Sequence, residues 1–115
     1  MKHILGVFLL AFALATGAVA QIKPQASVNV SSTITVTNTF QTVFAYDPNR
    51  SACLIQNNGS NTMWVFFGPL ASATKGASVV LAAGKSVSCI SGPVVATDAV
   101  SITGTSTDAF LAMAQ

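Results

Sequence analysis

Apolar and polar residues alternate over short stretches of the chain, and residues that favour turns separate these stretches. Residues 33–37 alternate threonine with isoleucine or valine, which is the two-residue period of a half-buried strand. The clearest hairpin signal lies farther on, where the apolar runs 52–56 and 63–67 flank a turn that contains Asn58-Gly59. The other predicted strands are residues 40–46, 79–81, 87–90, 94–95, 99–103 and 109–114, and residues 71–77 are predicted to form a surface loop.

The pattern as a whole predicts about seven to nine short strands, and no segment after residue 20 has a helical period. We therefore expect an all-β fold, a small antiparallel β-sandwich or jelly roll, preceded by a cleavable signal peptide. In the strand at 63–67, the side chains of Met63, Val65 and Phe67 share one face, and those of Trp64 and Phe66 share the other. Because both faces are apolar, this strand is predicted to be central and covered on both sides.

The first twenty residues have the three parts of a secretory signal peptide. Lys2 and His3 precede an apolar run that extends to Ala15, and the small residues 18–20 precede a predicted cleavage site before Gln21. A transmembrane anchor is the less favoured alternative, because the run is shorter than the roughly 20 apolar residues that span a bilayer. We expect a secreted or periplasmic protein with no stable membrane anchor after cleavage.

This pattern divides the chain into three parts. Residues 1–20 are the signal peptide, residues 21–32 are an N-terminal arm or edge strand, and residues 33–115 are the β-sandwich domain. The chain has 115 residues, which leaves room for one domain.

Charge is scarce along the whole chain. Charged residues make up 7% of the sequence, against about 25% in a typical globular protein. After the predicted leader, four basic and three acidic side chains give a net charge of +1. Because lysine and arginine do not cluster, no nucleic-acid partner is expected, and attraction to anionic lipid would be small. The expected partners are therefore a protein, including a second copy of this chain, or a glycan.

The chain contains two cysteines, Cys53 and Cys89. Export to an oxidising compartment favours a disulfide between them, which by the chain-entropy model would add roughly 3–4 kcal/mol to the stability. The bridge would also place Ile55 and Val87 on the same inward side, because side chains two positions apart share a face of a strand. Two buried free thiols are the alternative.

Residues that perform catalysis are few. The single histidine is His3, inside the predicted leader, and the chain has no glutamate. A Ser-His-Asp relay and a histidine-based zinc site therefore cannot form, and we predict no catalytic residue, no metal site, no cofactor and no enzyme activity. Asp98 and Asp108 are each predicted to lie near the start of neighbouring strands, where they would form a carboxylate pair or a weak calcium site. The favoured interpretation is that both are ordinary turn and strand-boundary residues.

Three residues are candidates for contact with a ligand or partner: Trp64, Tyr46 and Asn58. Trp64, with Phe66 nearby, would suit an aromatic platform for a sugar or a protein, although filling the core is the favoured role for these rings. Tyr46 lies beside a turn, and Asn58 lies within the predicted hairpin turn.

Several motifs resemble those of small β-sandwich proteins encoded in tailed-phage structural gene clusters. They are Pro48-Asn49-Arg50-Ser51-Ala52-Cys53-Leu54-Ile55-Gln56-Asn57-Asn58-Gly59, then Trp64-Val65-Phe66-Phe67-Gly68, Leu81-Ala82-Ala83-Gly84 and Gly92-Pro93-Val94. The resemblance covers about the last two-thirds of the chain. It implies a virion accessory such as a head decoration, fibre or tail-associated subunit, a class that is often trimeric. The leader departs from that family, whose members assemble in the cytoplasm.

The function expected from these features is that of a non-enzymatic exported structural or interaction module related to phage virion β-sandwiches. The alternative is a secreted ligand-binding β-sandwich module that recognises a glycan or a protein. A location in a virion is the alternative to a secreted or periplasmic one.

Overall fold

The structure, a computed structural model, describes residues 27–90 and 94–115. The predicted signal peptide and residues 21–26 of the predicted arm lie outside the described residues. Nine strands occur in the described part of the chain: β1 Val28–Asn29, β2 Ser32–Thr33, β3 Gln41–Phe44, β4 Cys53–Asn57, β5 Met63–Phe67, β6 Val79–Leu81, β7 Ser86–Ser88, β8 Val100–Thr103 and β9 Ala109–Ala114. Two single-turn 3₁₀ helices, Leu70–Ser72 and Lys75–Ala77, lie between β5 and β6.

The strands form two antiparallel sheets. Sheet 1 has the order β1-β9-β4-β7, and β2 also pairs with β9 beside β1; sheet 2 has the order β3-β8-β5-β6. The pairs β2–β9, β3–β8, β4–β7 and β5–β6 are nested like the two arms of one long hairpin. This hairpin is rolled so that β9 also pairs with β4 and β8 also pairs with β5. Nested pairing of this kind is the topology of a jelly roll, and it confirms the predicted all-β fold class.

The β-hairpin predicted around Asn58-Gly59 is wrong, because β4 and β5 do not pair with each other. β4 and β5 flank the turn as expected, but they belong to different sheets, so the chain crosses from sheet 1 to sheet 2 there. The predicted central position of β5 is confirmed, because it pairs with β8 on one side and with β6 on the other.

The two sheets enclose one apolar core. The bridge predicted between Cys53 and Cys89 is present, and Ile55 lies directly opposite Val87 on the same inward side, as expected. The buried core residues are Ile34, Phe44, Cys53, Ile55, Met63, Val65, Leu81, Cys89, Val100, Ile102, Phe110 and Ala112.

The strand predicted at 33–37 is wrong beyond its first residue. β2 ends at Thr33, and Ile34 is buried while its backbone pairs with Thr107 and Asp108. The chain then bends, Val36 is 56% exposed, and Asn38 has a φ of 61°. Local β-propensity is overridden here because the chain must leave sheet 1 and cross to sheet 2.

The short strand predicted at 94–95 is also absent. Val94 instead packs against the core from the loop that leads into β8. The loop predicted at 71–77 is exposed and contains the two 3₁₀ helices, which have no buried residue.

Candidate functional site

The described residues contain no group of three or more histidine, cysteine, aspartate or glutamate side chains arranged to hold a metal ion. Asp98 precedes β8 of sheet 2, and Asp108 precedes β9 of sheet 1. β8 runs from the end of the sandwich where Asp98 lies to the opposite end, where Asp108 precedes β9. The two aspartates therefore lie at opposite ends of the sandwich. The Asp108 carboxylate accepts a hydrogen bond from the Asn61 N–H at 3.2 Å and so helps to hold the β4–β5 turn. The two aspartates therefore do not form a carboxylate pair, and both lie at strand boundaries, as the favoured interpretation predicts.

Arg50 closes one end of the sandwich. Its guanidinium is buried, and it donates to the carbonyl oxygens of Ala96 at 2.6 Å, Ala45 at 3.0 Å and Asp98. Its Cζ atom lies 5.1 Å from the centre of the Phe44 ring, a cation–π distance. Burial lowers the pKa of Arg50 from its ordinary value, and the nearby carboxylates of Asp47 and Asp98 act in the opposite direction. The side chain thus fastens two loops to each other.

Sequence reasoning did not identify Arg50 as a buried residue. The available signal was its position between the turn at 47–49 and the apolar strand β4. A charged residue at such a position is usually assigned to solvent, because charged side chains are rarely buried unless they are paired. Here three backbone carbonyls provide the pairing: that of Ala45, five residues away, and those of Ala96 and Asp98, which are distant in sequence.

A groove of about 380 Å³ opens beside Arg50, between the edge strands β1 and β3. Its walls include the apolar side chains of Val28, Val30 and Val43, and Tyr46 lies at its rim. Tyr46 is 66% exposed, so this predicted contact residue is accessible.

Asn58 lies in the β4–β5 turn with its side chain exposed, and its backbone N–H donates to the Ala109 carbonyl at 3.0 Å. The neighbouring Asn57 is the residue that holds the turn. Its side-chain Nδ2 donates to the carbonyls of Asn61 at 2.7 Å and Leu81 at 2.9 Å, and its Oδ1 accepts from the Gly59 N–H at 2.9 Å. The fully buried Asn57 therefore links both sheets through one amide.

Trp64 lies on the outer face of sheet 2 and is half-buried. The Lys75 ammonium lies 3.9 Å from the centre of its indole ring and donates to the Asn38 Oδ1 at 2.6 Å. Phe66 is on the same face and meets the edge of the Phe40 ring at a centroid distance of 6.4 Å. Neither Trp64 nor Phe66 belongs to the core between the sheets.

The three predicted contact residues do not form one site. Tyr46 follows β3 at the end of the sandwich where Phe67 pairs with Val100, whereas Asn58 lies in the turn at the other end. Trp64 is on the outer face of sheet 2 between them.

The outer face of sheet 1 is uncharged. The register places Leu54 beside Met113 and Ser88 in one row across this face. Leu54 is 39% exposed and Met113 is 36% exposed. We call this surface the neutral face, and its outward residues are Asn29, Thr33, Leu54, Gln56, Ser86, Ser88, Ala109, Leu111 and Met113.

Within the described residues, no helix has the length and apolar composition needed to cross a membrane. No family model and no curated protein matches the chain. A chain from a solved structure described as "Bacillus endospore appendages form a novel family of disulfide-linked pili" is similar, with 20% sequence identity and a TM-score of 0.47. The similarity covers 77% of this chain and 81% of that one. Similarity of this degree assigns no function to this chain.

Proposed function

We propose that this protein is a non-enzymatic exported structural module that associates with further copies of itself through the neutral face. The observation that supports the proposal most strongly is the row formed by Leu54 and Met113 on a sheet face without a charged side chain. Soluble monomers commonly present charged and polar residues on an outer sheet face, because that face is otherwise open to water.

A second copy of the chain is the partner that fits this face. Identical charged surfaces would repel each other, whereas the neutral face meets its own copy without burying an unpaired charge. The methionine side chain adapts its shape readily, which favours packing against an identical surface. A shallow groove of about 340 Å³, lined in part by Ala52, Leu54 and Met113, offers a recess for the side chains of the other copy.

Each contact of this kind is weak by itself. Leu54 and Met113 are already about two-thirds covered, so association removes only the remaining exposed area from water. At about 25 cal/mol per Å² of apolar surface, this gain is modest beside the entropic cost of association. We therefore expect assembly that depends on protein concentration, and an assembly of many copies would be stabilised by repeated contacts.

The disulfide and the predicted leader support an extracytoplasmic location. Disulfides persist in secreted and periplasmic proteins and are rare where thioredoxin and glutathione keep thiols reduced. The finer interpretation of the sequence, a virion accessory, rests on the resemblance to tailed-phage proteins. The similar solved chain gives that interpretation no support. Recovery of the chain from a purified particle with residues 1–20 retained would favour it.

The proposal is tested by sedimentation velocity of the purified protein over a range of concentrations. We expect the wild-type protein to form larger species as the concentration rises. The double variant Leu54→Asp with Met113→Asp should remain monomeric, because two like charges would face each other in every contact. Leu70→Asp is the matched control, since Leu70 is 45% exposed and lies outside sheet 1. A wild-type protein that stays monomeric, or a double variant that assembles like wild type, would contradict the proposal.

A further inference from the structure

Two hydroxyl groups on the outer face of sheet 2 are buried without a hydrogen-bond partner. They are the Ser101 Oγ and the Thr103 Oγ1, in residues that are 1% and 0% exposed. An unpaired buried polar group costs about 1–3 kcal/mol of stability. Alanine and valine would fill the same positions without this cost, so the requirements of folding do not account for the two hydroxyls.

Aromatic rings lie beside both hydroxyls. The strand register places Phe66 opposite Ser101 and Trp64 opposite Thr103. We call these four residues the aromatic-hydroxyl face. Aromatic rings pack against the C–H faces of sugars, and hydroxyl side chains hydrogen-bond with sugar hydroxyls, so the two groups together suit a saccharide.

The surroundings of this face favour an uncharged ligand. The outward residues of the four strands of sheet 2 are Thr42, Trp64, Phe66, Val80, Ser101 and Thr103, none of which is charged. The nearest cation, Lys75, is already bonded to Asn38.

A segment of chain lies over Trp64, at one end of the aromatic-hydroxyl face. This segment, residues 68–78, contains the two exposed 3₁₀ helices, and we call it the strap. The Lys75–Asn38 hydrogen bond fastens it over Trp64. The Asn38 N–H donates to the carbonyl of Gly104, the residue after Thr103, so this fastening point lies beside the end of β8.

Gly68, the first residue of the strap, is buried and its N–H donates to the carbonyl of Ala99 at 2.8 Å, but the rest of the strap is held by few strong contacts. Neither of its helices has a buried residue, and the hydrogen bond from Lys75 to Asn38 is exposed. Exposed polar pairs of this kind contribute little to stability. Segments with few buried apolar contacts open at a small cost in free energy.

From these observations we infer that the aromatic-hydroxyl face is a closed binding site for a neutral oligosaccharide, which is reached when the strap lifts. The sugar ring packs against Trp64, and its hydroxyls satisfy Ser101 and Thr103. This site is separate from the neutral face, so its activity does not depend on self-association.

Fluorescence tests the site directly because Trp64 is the single tryptophan of the chain. The probes are three neutral sugars: maltohexaose, cellohexaose and N-acetylchitohexaose. We expect at least one of them to change the Trp64 emission in a saturable manner and to protect the indole from quenching by acrylamide. No change with any of the three would overturn the inference.

The double variant Ser101→Ala with Thr103→Val tests the hydroxyl groups. Loss of two hydrogen bonds should weaken binding about tenfold or more, whereas the melting temperature should rise or stay the same. Undiminished binding would overturn the role of the hydroxyls. A lower melting temperature would show that they are bonded within the fold, which would also overturn the inference.

The variant Lys75→Met tests the strap, because it keeps the length of the side chain and removes the ammonium group. Quenching of Trp64 by acrylamide should increase, and the sugar should bind about two- to fivefold more tightly, since less free energy is needed for opening. Lys85→Met is the matched control, at an exposed lysine in the β6–β7 turn. Unchanged quenching and affinity in Lys75→Met would overturn the proposed opening of the strap.

Discussion

Among the described residues, the buried polar side chains are those of Arg50, Asn57, Ser101 and Thr103. Arg50 and Asn57 hydrogen-bond to backbone carbonyls at the two ends of the sandwich, so each offsets its own desolvation and fastens loops that are distant in sequence. The hydroxyls of Ser101 and Thr103 have no such partners. At the residue scale, the first pair therefore stabilises the fold, whereas the second pair weakens it.

Gly59 shows how closely the β4–β5 turn packs. A Cβ atom at Gly59 would lie 2.6 Å from both Cβ and Cγ of Asp108, whose carboxylate is held by the Asn61 N–H. We expect Gly59→Ala to lower the stability by about 1–3 kcal/mol, because the turn or the Asp108 side chain must shift. Thermal unfolding followed by circular dichroism measures this change.

Gly76→Ala is the matched control for this substitution. A Cβ atom at Gly76 meets nothing within 4 Å, so its free energy of unfolding should stay within about 0.5 kcal/mol of wild type. Equal stability of the two variants would contradict the close contact between Gly59 and Asp108.

The residue scale is also where sequence reasoning was least complete. It identified the turn at 57–61 from its asparagines and glycine, but it selected Asn58 as the candidate for function rather than Asn57 as the structural residue. The side chains of adjacent residues at the end of a strand point in different directions. Only the strand register shows that the Asn57 side chain points inward toward Leu81. Arg50 was missed for a related reason, since two of its three acceptors, the carbonyls of Ala96 and Asp98, lie in a loop more than 40 residues away.

At the scale of elements, the edge strand β7 depends strongly on its attachment to β4. β7 has three residues, and β4 is its single strand partner within the described residues. The Cys53–Cys89 bridge joins the two strands at the register position beyond Leu54 and Ser88, with a Cα–Cα distance of 5.0 Å. The covalent link therefore compensates for the shortness of the strand pair.

We expect the double variant Cys53→Ala with Cys89→Ala to lose roughly 3–4 kcal/mol of stability, because the unfolded chain regains the freedom of the 36-residue loop. For a domain of this size the melting temperature should fall by roughly 10–30 °C. Differential scanning calorimetry measures the change. Wild-type protein unfolded in the presence of a reducing agent is the control, and it should melt near the temperature of the variant. An unchanged melting temperature would show that the bridge adds nothing to stability.

The strand pattern predicted most elements well. β5, β6 and β9 have the predicted bounds, because runs of apolar residues and the turn-forming residues beside them are local properties of the sequence. The prediction was wrong at residues 34–37, where crossing between sheets requires a bend. The alternation of threonine with isoleucine or valine in this segment is compatible with a paired strand and also with an unpaired segment that crosses between sheets. Alternation by itself therefore does not distinguish the two.

At the scale of the whole molecule, scarcity of charge is the dominant feature. The net charge after the predicted leader is +1, so long-range repulsion between copies is weak. The neutral face combines this property with a partly exposed apolar row. Both features agree with self-association as the proposed role.

Export concerns the whole chain, and the predicted leader lies outside the described residues. We expect the protein recovered from its native host to have the intact mass of a chain that begins at Gln21, with both thiols resistant to alkylation unless it is first reduced. The reason is that the leader has the layout recognised for cleavage and that the bridge consumes both thiols. Mass spectrometry with and without reduction gives the answer. A full-length chain with two free thiols would refute export and favour a virion subunit assembled in the cytoplasm.

The sequence by itself determined the class of the fold, the position of most strands and the lack of histidine and glutamate after residue 20. These properties follow from local alternation and from composition, which need no knowledge of distant contacts. Only the tertiary structure decided that the sandwich is a jelly roll, that Arg50 is buried, and that Trp64 lies beneath Lys75. Alternation shows which side chains share a face of a strand. What covers that face depends on which distant strands and loops pack against it, and that information is not contained in any short stretch of the chain.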